Sequence, residues 1–172
     1  MTILERGDAL RAEVVSNGSH HLSVPFFPSA KDDCGPTALA SLLHYWGAPM
    51  TPEEIAAETY LPRLKGSLGI DLVHYTKRHG FQVTSYTGNL QDVRFQLREG
   101  RPLMVLLNLG SSLFPRGHYV VITGFDDVRQ VLLVHSGVNP DLEISYRDFL
   151  RDWKKTDFWT LLVRSPGGNP EQ

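Results

Sequence analysis

Val24–Trp46, VPFFPSAKDDCGPTALASLLHYW, holds the only cysteine of the chain, Cys34. Gly35 and Pro36 follow. Leu39, Leu42, Leu43 and Trp46 then fall at i, i+3, i+4 and i+7, one apolar face at the helical period. Pro36 suits the first helical position, where its missing N–H is not needed. The pattern predicts a helix opening at or just after Cys34. Unpaired N–H groups and the positive end of the helix dipole favour a thiolate there. A lone cysteine is otherwise a small buried hydrophobe, so its chemistry depends on a partner elsewhere in the chain.

Upstream, residues 1–23 are polar and weakly patterned, and His20 and His21 read as an exposed loop. Val24–Pro28 is apolar but bounded by prolines, an extended lead-in beside the Cys34 helix. Downstream, Thr51-Pro52-Glu53-Glu54 is a capping box that opens a short helix to about Thr59. Gly66-Ser67-Leu68-Gly69 breaks the chain, and a third helix runs to His79 with Gly80 after it. Phe81–Tyr86 reads as a strand. Asn89 caps a fourth helix with Leu90, Val93 and Leu97 on one face.

The second half changes character. Pro102–Leu109, Tyr119–Phe125 and Gln130–His135 are strand-like, the last two joined by a turn at Asp126-Asp127. Ser145 caps a short helix, and Phe158–Val163 is the last strand. Helices first and antiparallel strands second predict an α+β domain over 24–164, with a polar tail at 165–172.

The chain has 172 residues, enough for one real core, and a formal net charge of −2. No basic run with interleaved aromatics points to nucleic acid. No apolar run approaches the roughly 18 residues of a membrane span. The first residues, MTILERGDALRAEVV, lack the apolar stretch of a signal peptide. One cysteine excludes an internal disulfide and a cysteine-rich zinc site.

His118 supplies the partner that Cys34 needs. It follows Gly117 and opens the strand YVVITGF, so a rigid element holds it while its ring can face a cleft. A thiol at a helix start facing an imidazole on a sheet meets the need of nucleophilic catalysis: the imidazole takes the thiol proton. The alternative is a structural histidine at a strand edge. His44 reads as a packing residue. His74 and His79 miss the i, i+4 spacing of zinc sites on helices, and Gly66–Gly69 lacks the Gly-Lys-Ser/Thr ending of a phosphate loop.

Read together, DDCGPTALASLLHYWG, GHYVVITGFDD, VLLVHSG and DFLRDW resemble the bacteriocin-processing (double-glycine leader) peptidase-like family, a branch of the papain-like cysteine peptidases. The resemblance spans about residues 24–164. It implies a papain-like fold, Cys34 as nucleophile and His118 as general base, with no metal or cofactor. It implies cleavage of a peptide bond in a peptide or protein substrate, often after Gly-Gly in a leader.

Two departures stand out. The family's oxyanion-binding glutamine maps to Pro28 or Ser29, neither of which carries an amide. A lost oxyanion donor costs about 100- to 1000-fold in rate. The Cys34 backbone N–H or the Asn108 amide are the substitutes. The family's imidazole-orienting Asp or Asn maps to Ser136, with Asn139 as the nearby alternative and Asp126 disfavoured by its turn position. Asp32 and Asp33 would raise the Cys34 pKa if their charges were close; one of them is expected to cap the helix instead. The alternative to an active peptidase is a peptidase-like domain that grips a leader or other extended peptide without cutting it. A third is acyl transfer to an amine through the same thioester.

Overall fold

The computed structural model describes residues 18–29 and 32–166. The expectations for the first residues and for the tail from 167 onward lie outside that range.

The fold is α+β. A seven-stranded antiparallel sheet runs in the order β4-β9-β5-β6-β7-β8, with β1 added against β6. These strands are β1 (Ser19–His21), β4 (Gln82–Thr87), β5 (Leu103–Asn108), β6 (Gly117–Asp126), β7 (Val131–Ser136), β8 (Asn139–Ser145) and β9 (Trp159–Arg164). Five helices accompany them among the described residues: α1 (Cys34–Tyr45), α2 (Pro52–Thr59), α3 (Gly69–Arg78), α4 (Leu90–Arg98) and α5 (Tyr146–Lys154). A separate hairpin pairs β2 (Tyr60–Leu61) with β3 (Gly66–Ser67).

Strand alternation sorts the sheet residues to two faces. Met104, Tyr119, Val121, Leu161 and Val163 pack under α1, α2 and α3. Leu103, Val105, Leu107, Val120 and Ile122 pack under α4 and α5. The predicted face of α1 is the one buried: Leu39, Leu42 and Leu43 are fully inaccessible. Each contributes about 1.5–3 kcal/mol by burial, which holds the Cys34 end of the helix in place.

The caps expected for α2, α4 and α5 are all formed. Thr51 Oγ1 accepts from Glu54 N, and Glu54 Oε2 accepts from Thr51 N. Asn89 and Ser145 accept from the N–H groups of Asp92 and Asp148.

Four details depart from the sequence expectation. Helix α1 begins at Cys34, so Pro36 is its third residue and not its first. This costs nothing, because the first four N–H groups of a helix have no partner in the helix. His20 and His21 lie in strand β1, paired with Phe125 and Gly124, and not in a loop. Gly124 is required there, since a Cβ would lie 2.7 Å from the His20 carbonyl oxygen. Strand β8 is new; its Pro140 reads as a breaker, yet β8 is an edge strand, where a missing N–H is tolerated. The β2–β3 hairpin is also new, because two-residue strands carry no period. The sheet thus draws β1 and β4 from the first half of the chain.

Candidate active site

Cys34 and His118 line one open cleft of about 570 Å³. Each is placed by a rigid element, Cys34 as the first residue of α1 and His118 as the second residue of β6. The backbone N–H groups of Tyr119, the strand residue after His118, and of Gly35 favour the charged form of the Cys34 thiol. Tyr119 braces the site further, its hydroxyl donating to the Ser67 carbonyl at 3.1 Å. Burial holds that phenol neutral.

His118 Nε2 is 2.8 Å from Ser136 Oγ. Ser136 is the last residue of β7, the strand next to β6, which brings it beside the ring. Asn139 stands opposite Ser136 across the β7–β8 turn and is exposed. Asp126 lies at the far end of β6, about 26 Å along the strand by the usual rise, where its carboxylate accepts from Val128 N and Arg129 N.

Ser29 also faces the cleft, but its hydroxyl donates to Asp33 Oδ1 at 2.6 Å and its N–H to the Gly137 carbonyl at 2.9 Å. Asn108 Oδ1 accepts from the N–H groups of Gly110 and Arg116, so that side chain shapes the loop before β6. His44 bonds the Met50 carbonyl and meets the Phe27 ring edge-on, a packing role. His79 bonds the Tyr75 carbonyl, and His74 is exposed. Among the described residues no group of three or more His, Cys, Asp or Glu side chains is placed to hold a metal ion.

Residues 21–160 match the Peptidase_C39 like family, which covers most of the chain. The chain belongs to the Peptidase_C39 like family. No curated protein sequence matches it. Solved C39 peptidase domains share its fold. The peptidase domain of Streptococcus ComA, a bi-functional ABC transporter involved in a quorum sensing pathway, matches with a TM-score of 0.65 at 18% identity over 84% of this chain and 96% of that one. A double glycine motif protease from an AMS/PCAT transporter, solved with its leader peptide, gives 0.65 and 18% over 84% of this chain and 93% of that one. The C39-like domain of a Vibrio parahaemolyticus toxin secretion ATP-binding protein gives 0.56 and 16% over 78% and 98%.

Within this C39-like fold, the electrostatics of the site differ from the sequence expectation. The N–H groups at the helix start do favour a thiolate, but they do not win. Burial pushes the Cys34 thiol up from its ordinary value, and the Asp33 charge adds to that push. Asp33 occupies the cap position yet makes no side-chain cap bond; its carboxylate takes the Ser29 hydroxyl instead. The capping role expected for an aspartate is therefore absent here, and its charge remains near the sulfur. Burial, with Arg116 alongside, pushes the His118 imidazole down. The resting pair is thus biased toward neutral thiol and neutral imidazole.

Sequence inspection missed three contributors: Tyr119, Arg116 and the hairpin wall Leu64–Leu68. Arg116 and Tyr119 flank the Gly117-His118 pair and were legible by adjacency alone. The hairpin had no local signal.

Proposed function

We propose that the protein is a cysteine peptidase. The single observation behind this is the cleft that holds Cys34 at a helix start and His118 beside a hydrogen-bonded Ser136. We assign the tautomer in which His118 Nε2–H donates to Ser136 Oγ, which leaves Nδ1 as the base. As the thiol attacks a peptide carbonyl, Nδ1 takes its proton, a C–S bond forms, and the tetrahedral oxyanion is held by the Cys34 backbone N–H. The imidazolium then protonates the leaving amine and the C–N bond breaks. Water, deprotonated by the same imidazole, hydrolyses the thioester and returns free Cys34. Because both partners rest neutral, the proton moves during attack and not before it.

The substrate is an extended apolar-rich peptide, cut after Gly-Gly as the double glycine relatives suggest. Exposed Leu64, Leu68 and Leu109 line the cleft, and Leu113 and Phe114 of the adjoining loop are 82% and 81% exposed. Such a concentration of bare apolar side chains beside a cleft marks a binding surface.

A second reading is a domain that binds such a peptide without cutting it. The Ser29–Asp33 bond favours it, since the hydroxyl at the glutamine position has its one proton directed away from an oxyanion. Incubation with a leader-type Gly-Gly peptide separates the two. The peptidase reading expects cleavage after Gly-Gly that Cys34→Ala abolishes while binding persists. Binding without cleavage by the unsubstituted protein supports the second reading, and no binding at all overturns both.

A further inference from the structure

Beside Cys34 lies a small, partly open pocket of about 10 Å³, room for the centre of one water molecule. Cys34, Thr37 and Ser41 of α1 line it, together with Ser29 and His135. Ser29, Cys34 and Tyr119 line both this cavity and the cleft, so the two adjoin at Cys34.

The hydrogen bonds of the lining leave one hydroxyl over. Ser29 Oγ donates to Asp33, and Ser41 Oγ donates to the Thr37 carbonyl at 3.3 Å. His135 is engaged at both nitrogens, with the Val24 carbonyl at 2.8 Å and the Asp141 N–H at 3.1 Å. Thr37 Oγ1 has no partner among the described residues, although Thr37 is only 4% exposed. Buried polar groups in folded proteins are nearly always satisfied, and buried waters satisfy those that side chains do not reach.

We infer that this cavity binds one water, which accepts from Thr37 Oγ1 and donates to the Cys34 sulfur. Its second hydrogen meets the free lone pairs of Ser29 or Ser41, giving three partners, the usual number for a buried water. The water acts as a donor to the sulfur. Burial and Asp33 raise the thiol, and this bond works against them. The inference concerns the free protein and stands apart from whether a peptide is cut.

The test uses the full chain without substrate. A high-resolution crystal structure is expected to show water density within hydrogen-bonding distance of Thr37 Oγ1, kept in Thr37→Ser and lost in Thr37→Val. Alkylation of Cys34 by iodoacetamide at neutral pH is expected to slow about fivefold in Thr37→Val, the worth of one neutral hydrogen bond, and to stay unchanged in Thr37→Ser. A dry cavity in the unsubstituted protein overturns the site, and that density decides it even if Thr37→Val does not fold. Density with an unaltered alkylation rate in Thr37→Val overturns the bond to sulfur.

Discussion

The two halves of the candidate site are built to different standards. On the helix side, Cys34 opens an element whose buried face admits no play. A Cβ on the neighbouring Gly35 would sit 3.2 Å from the Tyr119 ring and 3.3 Å from Ser67, tighter than ordinary contact. On the strand side, His118 follows an exposed loop, and its ring nitrogen bonds a neutral serine. Position is fixed by packing, which has few solutions. Charge state is fixed by a handful of polar residues, which the same packing accommodates in many versions. Here Cys34 and His118 share one cleft, while Asp33, Arg116 and burial bias the pair toward neutrality.

The largest test of that contrast removes the nucleophile. Cys34→Ala is expected to lower peptide hydrolysis at least about 1000-fold while leaving peptide affinity and thermal stability near those of the parent, measured by chromatographic turnover and calorimetry. Hydrolysis that survives the substitution would sink the enzyme proposal. Next in size is the orienting bond. Ser136→Ala is expected to lower kcat about fivefold, the worth of one neutral hydrogen bond. Ser136→Asp is expected to move the other way, since a carboxylate beside the ring favours the imidazolium. An unchanged kcat in Ser136→Ala would mean that the 2.8 Å contact serves packing only.

The same contrast explains what the sequence disclosed. Packing leaves periodic marks: Leu39, Leu42 and Leu43 announced α1, and Thr51 and Glu54 announced α2 through a cap that depends on local spacing alone. His118 was locatable because it opens an apolar run, and Ser136 only through the family resemblance. The charge state was not legible. Whether Asp33 caps a helix or faces a sulfur depends on where Ser29 lies, and that is set by its backbone bond to Gly137, more than a hundred residues along. The hairpin wall and β8 failed for a different reason: one is too short for a period, the other is an edge strand whose Pro140 is harmless only because of its place in the sheet.

Asp33 offers a smaller, sharper test. Asp33→Asn removes the charge and keeps an oxygen for the Ser29 hydroxyl to donate to. The thiol then loses one of the causes that raise it, so alkylation of Cys34 is expected to begin at lower pH than in the parent. Burial persists, so the onset stays above that of an activated thiol–imidazole pair. An onset that does not move would show that the Asp33 charge does not reach the sulfur.

Arg116 provides the smallest effect and the cleanest sign. Its cation lowers the His118 imidazole after burial has already done so. Arg116→Gln is therefore expected to raise the His118 titration midpoint, read from the pH dependence of its ring-proton NMR signal, without bringing it up to the ordinary histidine value. The free base would then be protonated at a higher pH, so the acid limb of kcat/KM moves upward by the same amount. Agreement between the two shifts would tie the acid limb to His118. A moved NMR titration beside an unmoved acid limb would assign the limb to another group and leave His118 without the role of base.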